Sequence, residues 1–354
     1  MVYRSEKVAE DCVFFRGDVP CKPHKEKGAK CKCEFYRKRG KRILIIKLAA
    51  MGDVLRSTPI SERLRKLHPD CEITWITNYP ELARRAADIV MGFNERSVVT
   101  LMADGFDILY NFDKDKEACA LASLVKAIVK KGFVLVDGKC APADKDAEHK
   151  FVTGLFDDES KKNTKTYQQE MFEMAGLKYE GEKYAMDFEE FGEKLPKGNI
   201  IGLNTGGAER WTARLWPETS WEKLATLLKK KGYVPLLLGG EAEDEKNKRI
   251  AGKTGAVYLG HFPFRQFAGL VGKCGVVVTC VTLGFHVSVG MERKIVLLNN
   301  IFNRHEFDLY GKGMIIEPPK ECACFYKSEC VYGRSCMNDI TPETVAQAVE
   351  KLEA

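Results

Sequence analysis

The segment Ile43–Ile60 reads ILIIKLAAMGDVLRSTPI. Ile43, Leu44, Ile45 and Ile46 stand in an unbroken row, followed by Lys47 and Leu48. Such a run marks a strand buried on both faces, as in a parallel sheet. Gly52 and Asp53 then open a segment whose apolar residues (Val54, Leu55, Ile60, Leu64, Leu67) recur at helical spacing. A carboxylate therefore stands where a strand hands over to a helix, and open α/β sheets bind ligands at that edge. Asp53 is either a helix cap or a base at a cleft, and the pattern alone leaves both open.

The alternation continues on either side. CEITWIT and FDILYNF read as strands, and STPISERLRKLH and PELARRAADI as helices. ACALASLVKAIVKKG reads as one helix ending at Gly132, followed by a strand, FVLVDG. Residues 141–196 are charged and irregular, with a helix expected around TYQQEMFEMAGL. The turn-rich EKLPKGN, Glu193–Asn199, reads as a domain boundary, after which the pattern restarts. NIIGLNTG, YVPLLLGG, the short AVYLG, GVVVTC and KIVLLNN are its strands, with helices between them. This β/α order predicts two doubly wound α/β domains. The expected units are a Cys-rich extension over 1–40, domains over 41–196 and 197–340, and a last helix over 341–354. Thr341 is the expected N-cap of that helix and Pro342 opens its first turn.

The 354 residues, 45% of them hydrophobic, suffice for two cores. No apolar run reaches the roughly 18 residues of a membrane span. The start, MVYRSEKVAEDC, lacks the apolar core of a secretory signal. The expected location is the cytoplasm, or the inner membrane face as a peripheral protein. Residues 1–42 carry 13 Lys and Arg against 6 Asp and Glu, and the remainder 43 against 44. The basic character thus belongs to the leader, which reads first as a solvated segment and second as a contact for nucleic acid or anionic lipid. The body gives nucleic acid no footing.

Of 13 cysteines, one set falls in the leader: Cys12, Cys21, Cys31 and Cys33, with His24 among them. A second set, Cys322, Cys324, Cys330 and Cys336, precedes the last helix. In a reducing compartment, clustered cysteines suggest metal rather than disulfides. The spacing suits structural zinc or an iron–sulfur cluster, with free thiols as the alternative.

Four segments together resemble glycosyltransferase family 9, the heptosyltransferase-like enzymes: ILIIKLAAMGDVLRSTPI, IGLNTGGAERWTARLWPETSWEKL, LLLGGEAEDE and VVVTCVTLGFH. The resemblance covers roughly residues 41–354 and implies the GT-B architecture, two facing Rossmann-like domains with the active site between them. It implies also that the last helix packs back on the first domain, which would make the two Cys sets neighbours. It places the base of an inverting transfer at Asp53, with Gly52 making room on the acceptor side. It places the nucleotide-sugar donor against Thr205, Gly206, Gly207, Arg214, Glu243, Thr282 and His286. Small residues over Asn204–Gly207 leave backbone N–H groups open to phosphate, and Gly239 and Gly240 suit a tight turn near ligand. Arg214 stands where a Lys is usual, and Val281 where many members have Asp. Trp216 and Pro217 read as packing residues, and Asn299, Asn300 and His305 as possible cleft residues.

The implied reaction moves a sugar, such as heptose from an ADP-linked donor, onto a lipid-linked saccharide, without a metal in the chemistry. NFDKDK, around Asp113, is the nearest approach to a metal-binding carboxylate pair. The alternatives are a metal-binding interaction module and a nucleotide-sugar epimerase or hydrolase on the same scaffold.

Overall fold

The computed structural model describes residues 5–207 and 209–354. The first four residues of the expected leader, and Ala208 in the second glycine-rich turn, lie outside it. Six strands form the first sheet: β1 (Arg42–Ile46), β2 (Glu72–Thr77), β3 (Ile89–Gly92), β4 (Gly105–Asn111), β5 (Lys126–Val136) and β6 (Lys139–Pro142), in the order β3-β2-β1-β4-β5-β6. All pair in parallel except the β5–β6 hairpin. β1 is central, with Ile43 opposite Ile73 on one side and Ile108 on the other. Its apolar run divides by parity. Ile43 and Ile45 enter one core, Leu44 and Ile46 another, as two-faced burial requires.

The second sheet is wholly parallel: β7 (Ile200–Asn204), β8 (Val234–Leu238), β9 (Val276–Cys280), β10 (Lys294–Leu298) and β11 (Gly313–Ile316), ordered β11-β10-β9-β7-β8. Here too Leu236 and Leu238 face one core and Leu237 the other. One of these cores spans both sheets: Val54, Leu55 and Leu82 of the first unit pack with Val281 and Phe285 of the second. Tyr184, Met186 and Phe191 join the same core, so the chain begins crossing over upstream of the Glu193–Asn199 boundary expected from composition.

Four elements differ from the sequence reading. The helix expected over Pro80–Ile89 is a single turn, Pro80–Ala83, and Ile89 opens β3. The strand expected at AVYLG makes only one bridge, Val257 to Leu236. The helix expected over Ala118–Gly132 ends at Leu124, and Lys126–Val136 forms β5. Ala and Lys suit a helix, but this segment supplies β4's outer neighbour, pairing Ile108 with Val129; tertiary pairing overrides weak local propensity. The last helix, Pro342–Glu353, forms with Thr341 Oγ1 accepting the Thr344 N–H (3.2 Å). It does not pack back on the first domain. Its face Val345, Ala346, Ala348 and Val349 docks on Trp221, Leu224 and Leu228 of the helix Glu218–Lys230. The Trp216 Nε1–H donates to the Ile340 carbonyl (3.0 Å) at its entrance, and Lys231 pairs with Glu350 (2.8 Å).

Trp221 is fully buried beneath this contact and meets Trp216 edge-on at 4.9 Å. Trp221→Ala should cost about 3–5 kcal/mol in urea unfolding. A loss below about 1 kcal/mol would mean that the last helix does not depend on this seat.

Candidate active site

Where β1 ends, Lys47 and Asp113 form a buried ion pair, their side chains 4% and 5% exposed. Asp113 also accepts the Leu48 N–H, and Lys47 Nζ donates to the Ala49 carbonyl (2.5 Å). Burial works against the Lys47 ammonium, but Tyr167, Asp113 and Asp53 outweigh it and raise its pKa. Asp113 is therefore committed to holding the β1 turn.

That turn feeds the helix Met51–Ser57, and Asp53 sits in its first turn. Both sequence readings of Asp53 meet in one side chain. Oδ2 accepts the Ala50 N–H (3.3 Å), as a cap would, and Oδ1 pairs with Arg56 (2.8 Å) one turn on. Burial pushes the carboxyl pKa up, but Arg56, Lys47, His286 and the Ala50 N–H outweigh it and hold it at about 2. Asp53 is thus ionised above the acid range, and a third of its side chain is exposed.

Opposite stands the helix Leu283–Gly290 of the second unit. His286 presses on Gly52 so closely that a Cβ there would lie 2.5 Å from its Cδ2 and 3.0 Å from its Nε2. The ring cannot easily give way. It stacks on Tyr184, whose hydroxyl lies 3.3 Å from His286 Nδ1, and it meets Phe285 edge-on. Burial and the Arg56 charge push the His286 pKa down to about 3, although Asp53 opposes this, so the imidazole is neutral at pH 7.

A cavity of about 940 Å³ opens between the two units. Gly52, Asp53, Gly207, Arg214, Glu243, Thr282 and His286 all line it. Two of the expected donor residues do not. Thr205 is buried, its hydroxyl donating to Asn247 Oδ1 (2.6 Å), and Gly206 backs the Glu243 carboxylate. The glycine-turn N–H groups expected to face phosphate are partly taken: Glu243 accepts from Gly240 N–H (2.9 Å) and Gly207 N–H (3.4 Å). Thr282 accepts from Asn204 Nδ2 (3.0 Å) at the start of its helix. Val281 joins the shared core.

Arg214 differs from its neighbours. It is half-buried beside Phe302, with its Nε enclosed and unbonded, and it has neither a carboxylate nor a hydrogen-bond partner among the described residues. Burial alone lowers its pKa. A desolvated, unpaired guanidinium on a cavity wall calls for an anionic ligand.

Of the loop residues considered as cleft candidates, Asn299 and Asn300 tie the backbone instead. Their Nδ2 groups donate to Phe302 and Ala213 carbonyls (both 2.8 Å), and His305 is exposed. Arg56, Glu306 and Tyr326 line the cavity without having been singled out in the sequence. Only Arg56 left a signal, its three-residue spacing from Asp53.

The N-terminal set Cys12, Cys21, His24, Cys31 and Cys33 lines one pocket of about 390 Å³ formed within the leader. In the second set, Cys322, Cys324 and Cys330 cluster around Ala213 and Ile301, and Cys336 accepts from Asn300 Nδ2 (3.4 Å). Among the described residues, no three His, Cys, Asp or Glu side chains are grouped to hold a metal ion. The two sets share no lining residue, so they are not the joint cluster that docking of the last helix on the first domain would have made.

Two facing parallel sheets with a charged cavity between them define the GT-B class of glycosyltransferase. The structure is similar to a family 9 glycosyltransferase from Veillonella parvula (TM-score 0.67, 18% identity, covering 88% of this chain and 97% of that one). It is similar also to E. coli ADP-heptose lps heptosyltransferase II (TM-score 0.66, 18% identity, 88% and 98%). A third similar structure is the iron-containing dodecameric glycosyltransferase TibC of E. coli (TM-score 0.56, 12% identity, 89% and 79%). The curated protein sequences give no significant match. The model of glycosyltransferase family 9 (heptosyltransferase) matches residues 98–316, and the chain belongs to that family. No helix among the described residues is long and apolar enough to cross a membrane.

Gly52→Ala should drive its new methyl into the His286 ring and cost about 1–3 kcal/mol. In the His286→Ala background the same substitution should cost much less. A double-mutant cycle with no coupling between the two positions would contradict the close crossing of these helices.

Proposed function

We propose that the protein is an inverting glycosyltransferase that moves a heptosyl group from an ADP-linked donor onto a lipid-linked saccharide. The observation that carries this reading is the unpaired, half-buried Arg214 on the same cavity wall system as the ionised Asp53. A cavity of this size suits a nucleotide-sugar. Arg214 would hold the donor diphosphate and neutralise the charge that grows on it as the glycosidic bond breaks. Asp53 would accept the proton of the acceptor hydroxyl as its oxygen attacks the anomeric carbon from the opposite side. The nucleoside diphosphate leaves with the bonding electrons, and the configuration at carbon inverts. Glu243 and the Gly240 N–H it now occupies would then receive donor hydroxyls or phosphate oxygens. In this scheme the guanidinium supplies the positive charge that a metal would otherwise bring.

The donor and the acceptor class are both supported by E. coli ADP-heptose lps heptosyltransferase II, whose description names ADP-heptose and lps, and the heptosyl transfer by the family. An acceptor anchored in the inner membrane leaflet would make the basic leader a peripheral contact in the cytoplasm. TibC is described as iron-containing, and the Cys322, Cys324, Cys330 and Cys336 thiols are the residues of this chain that would be examined for a metal. The proposed chemistry takes no step through a metal.

Calorimetric titration with ADP, GDP, UDP and CDP tests the donor side. ADP should bind selectively, and Arg214→Ala should weaken it about 10–100-fold, as loss of a charge-assisted contact does. Asp53→Asn should bind ADP within about twofold of wild type while losing about 10²–10⁴ in turnover. If no nucleotide binds, the cavity is not a nucleotide-sugar site. If ADP is released from the donor without any glycosylated product, the hydrolase alternative takes over.

A further inference from the structure

Arg56 does more than pair with Asp53. Its guanidinium also reaches across the gap between the units to Glu306 (3.1 Å). Glu306 in turn accepts the Tyr326 hydroxyl (2.7 Å) through its other oxygen. The guanidinium lies 3.5 Å over the Tyr167 ring, which confines it on a further side. Glu306 is itself held firmly. It sits in a short turn capped by Asn303, whose Nδ2 donates to the Ser160 and Asn163 carbonyls of the first unit (2.6 and 2.7 Å). Tyr326 is fixed by its N–H to the Ile301 carbonyl (2.8 Å) and by edge-on contact with Phe302 (5.4 Å). Arg56 and Glu306 are 13% and 10% exposed, so water screens this chain weakly.

We propose that Glu306 and Tyr326 are positioning residues that share the Arg56 guanidinium with Asp53, and so set the orientation and proton affinity of that carboxylate. This rests on Asp53 being the base. A carboxylate held by an undivided arginine is a poor proton acceptor. Glu306 draws part of the Arg56 charge toward itself, so Asp53 stays ionised and oriented yet can release Arg56 when an acceptor hydroxyl arrives. Two of these partners belong to the second unit, so the tuning exists only while the two units face each other as they do here.

The groups facing Asp53 are Lys47 at the end of β1, Arg56 on its own helix and His286 from the opposite helix. Those facing Arg56 are Asp53, Glu306, Tyr167 and Tyr184. Arg56 is the nearest charge that lowers the Asp53 pKa. Without it, burial opposes ionisation with only the Lys47 charge and the Ala50 N–H against it, since the imidazole of His286 is neutral, so the pKa must rise.

The test follows the Asp53 carboxyl by ¹³C NMR in protein labelled at Asp side-chain carboxyls, with Asp53→Asn giving the assignment. ADP release from ADP-linked heptose reports turnover, and circular dichroism confirms folding at each pH. The wild-type Asp53 signal should not titrate above pH 4. Arg56→Gln should raise its midpoint by more than one pH unit and bring an acid limb into the rate profile, while Arg56→Lys should restore the flat profile. Glu306→Gln should leave Asp53 ionised but lower kcat about tenfold with donor KM within twofold. Tyr326→Phe should lower kcat two- to fivefold. If Arg56→Gln does not fold, the Glu306→Gln and Tyr326→Phe results decide. Unchanged kcat in both, or an unmoved Asp53 midpoint in folded Arg56→Gln, overturns the relay while the base reading stands. Full turnover in Asp53→Asn overturns the base and the relay together.

Discussion

The architecture turns on the close crossing of the helix Met51–Ser57 over the helix Leu283–Gly290. Gly52 has no side chain, so the His286 ring can rest against the backbone. The same crossing lets Val54 and Leu55 enter a core with Val281 and Phe285. That shared apolar surface fixes how the two sheets face each other. It also sets Asp53 on the same cavity as Arg214 and Glu243 of the second unit. A methyl group at position 52 would open this contact, and with it the alignment of every group lining the cavity.

Charge is arranged around that contact in a graded way. Lys47 and Asp113 neutralise each other beneath the turn and take no part at its surface. Asp53, Arg56 and Glu306 alternate in sign across the gap. Arg214 alone in this group lacks a protein counter-charge among the described residues. The wall carrying Arg214 also carries the Glu243 carboxylate, but that carboxylate accepts backbone N–H groups and leaves the guanidinium without a partner; under the proposed reading a diphosphate would meet it there.

Much of this was legible in the sequence, for a physical reason. Strands buried on both faces must be continuously apolar, so β1, β7, β8, β9 and β10 announce themselves, and the glycine-rich turns after them mark the cavity edge. Within Lys126–Val136, only Lys126–Gly132 departs from its reading, because Ala and Lys suit a helix while Ile and Val suit a strand, and pairing with β4 decides between them. The last helix was recognised, but its seat on Trp221 depends on residues more than a hundred positions away. Glu306 and Tyr326 were invisible for the same reason. Glu306 lies 250 residues from Arg56, and no spacing rule connects them. The glycine turns were read as open to phosphate, whereas the Glu243 carboxylate already occupies part of them.

The account requires the acceptor oxygen to approach the anomeric carbon from the Asp53 side while Arg214 holds the leaving diphosphate on the other. Proton NMR of the product formed from a donor of known anomeric configuration reads this geometry. An inverted anomeric centre is the predicted result. A retained one would contradict direct displacement with Asp53 as base.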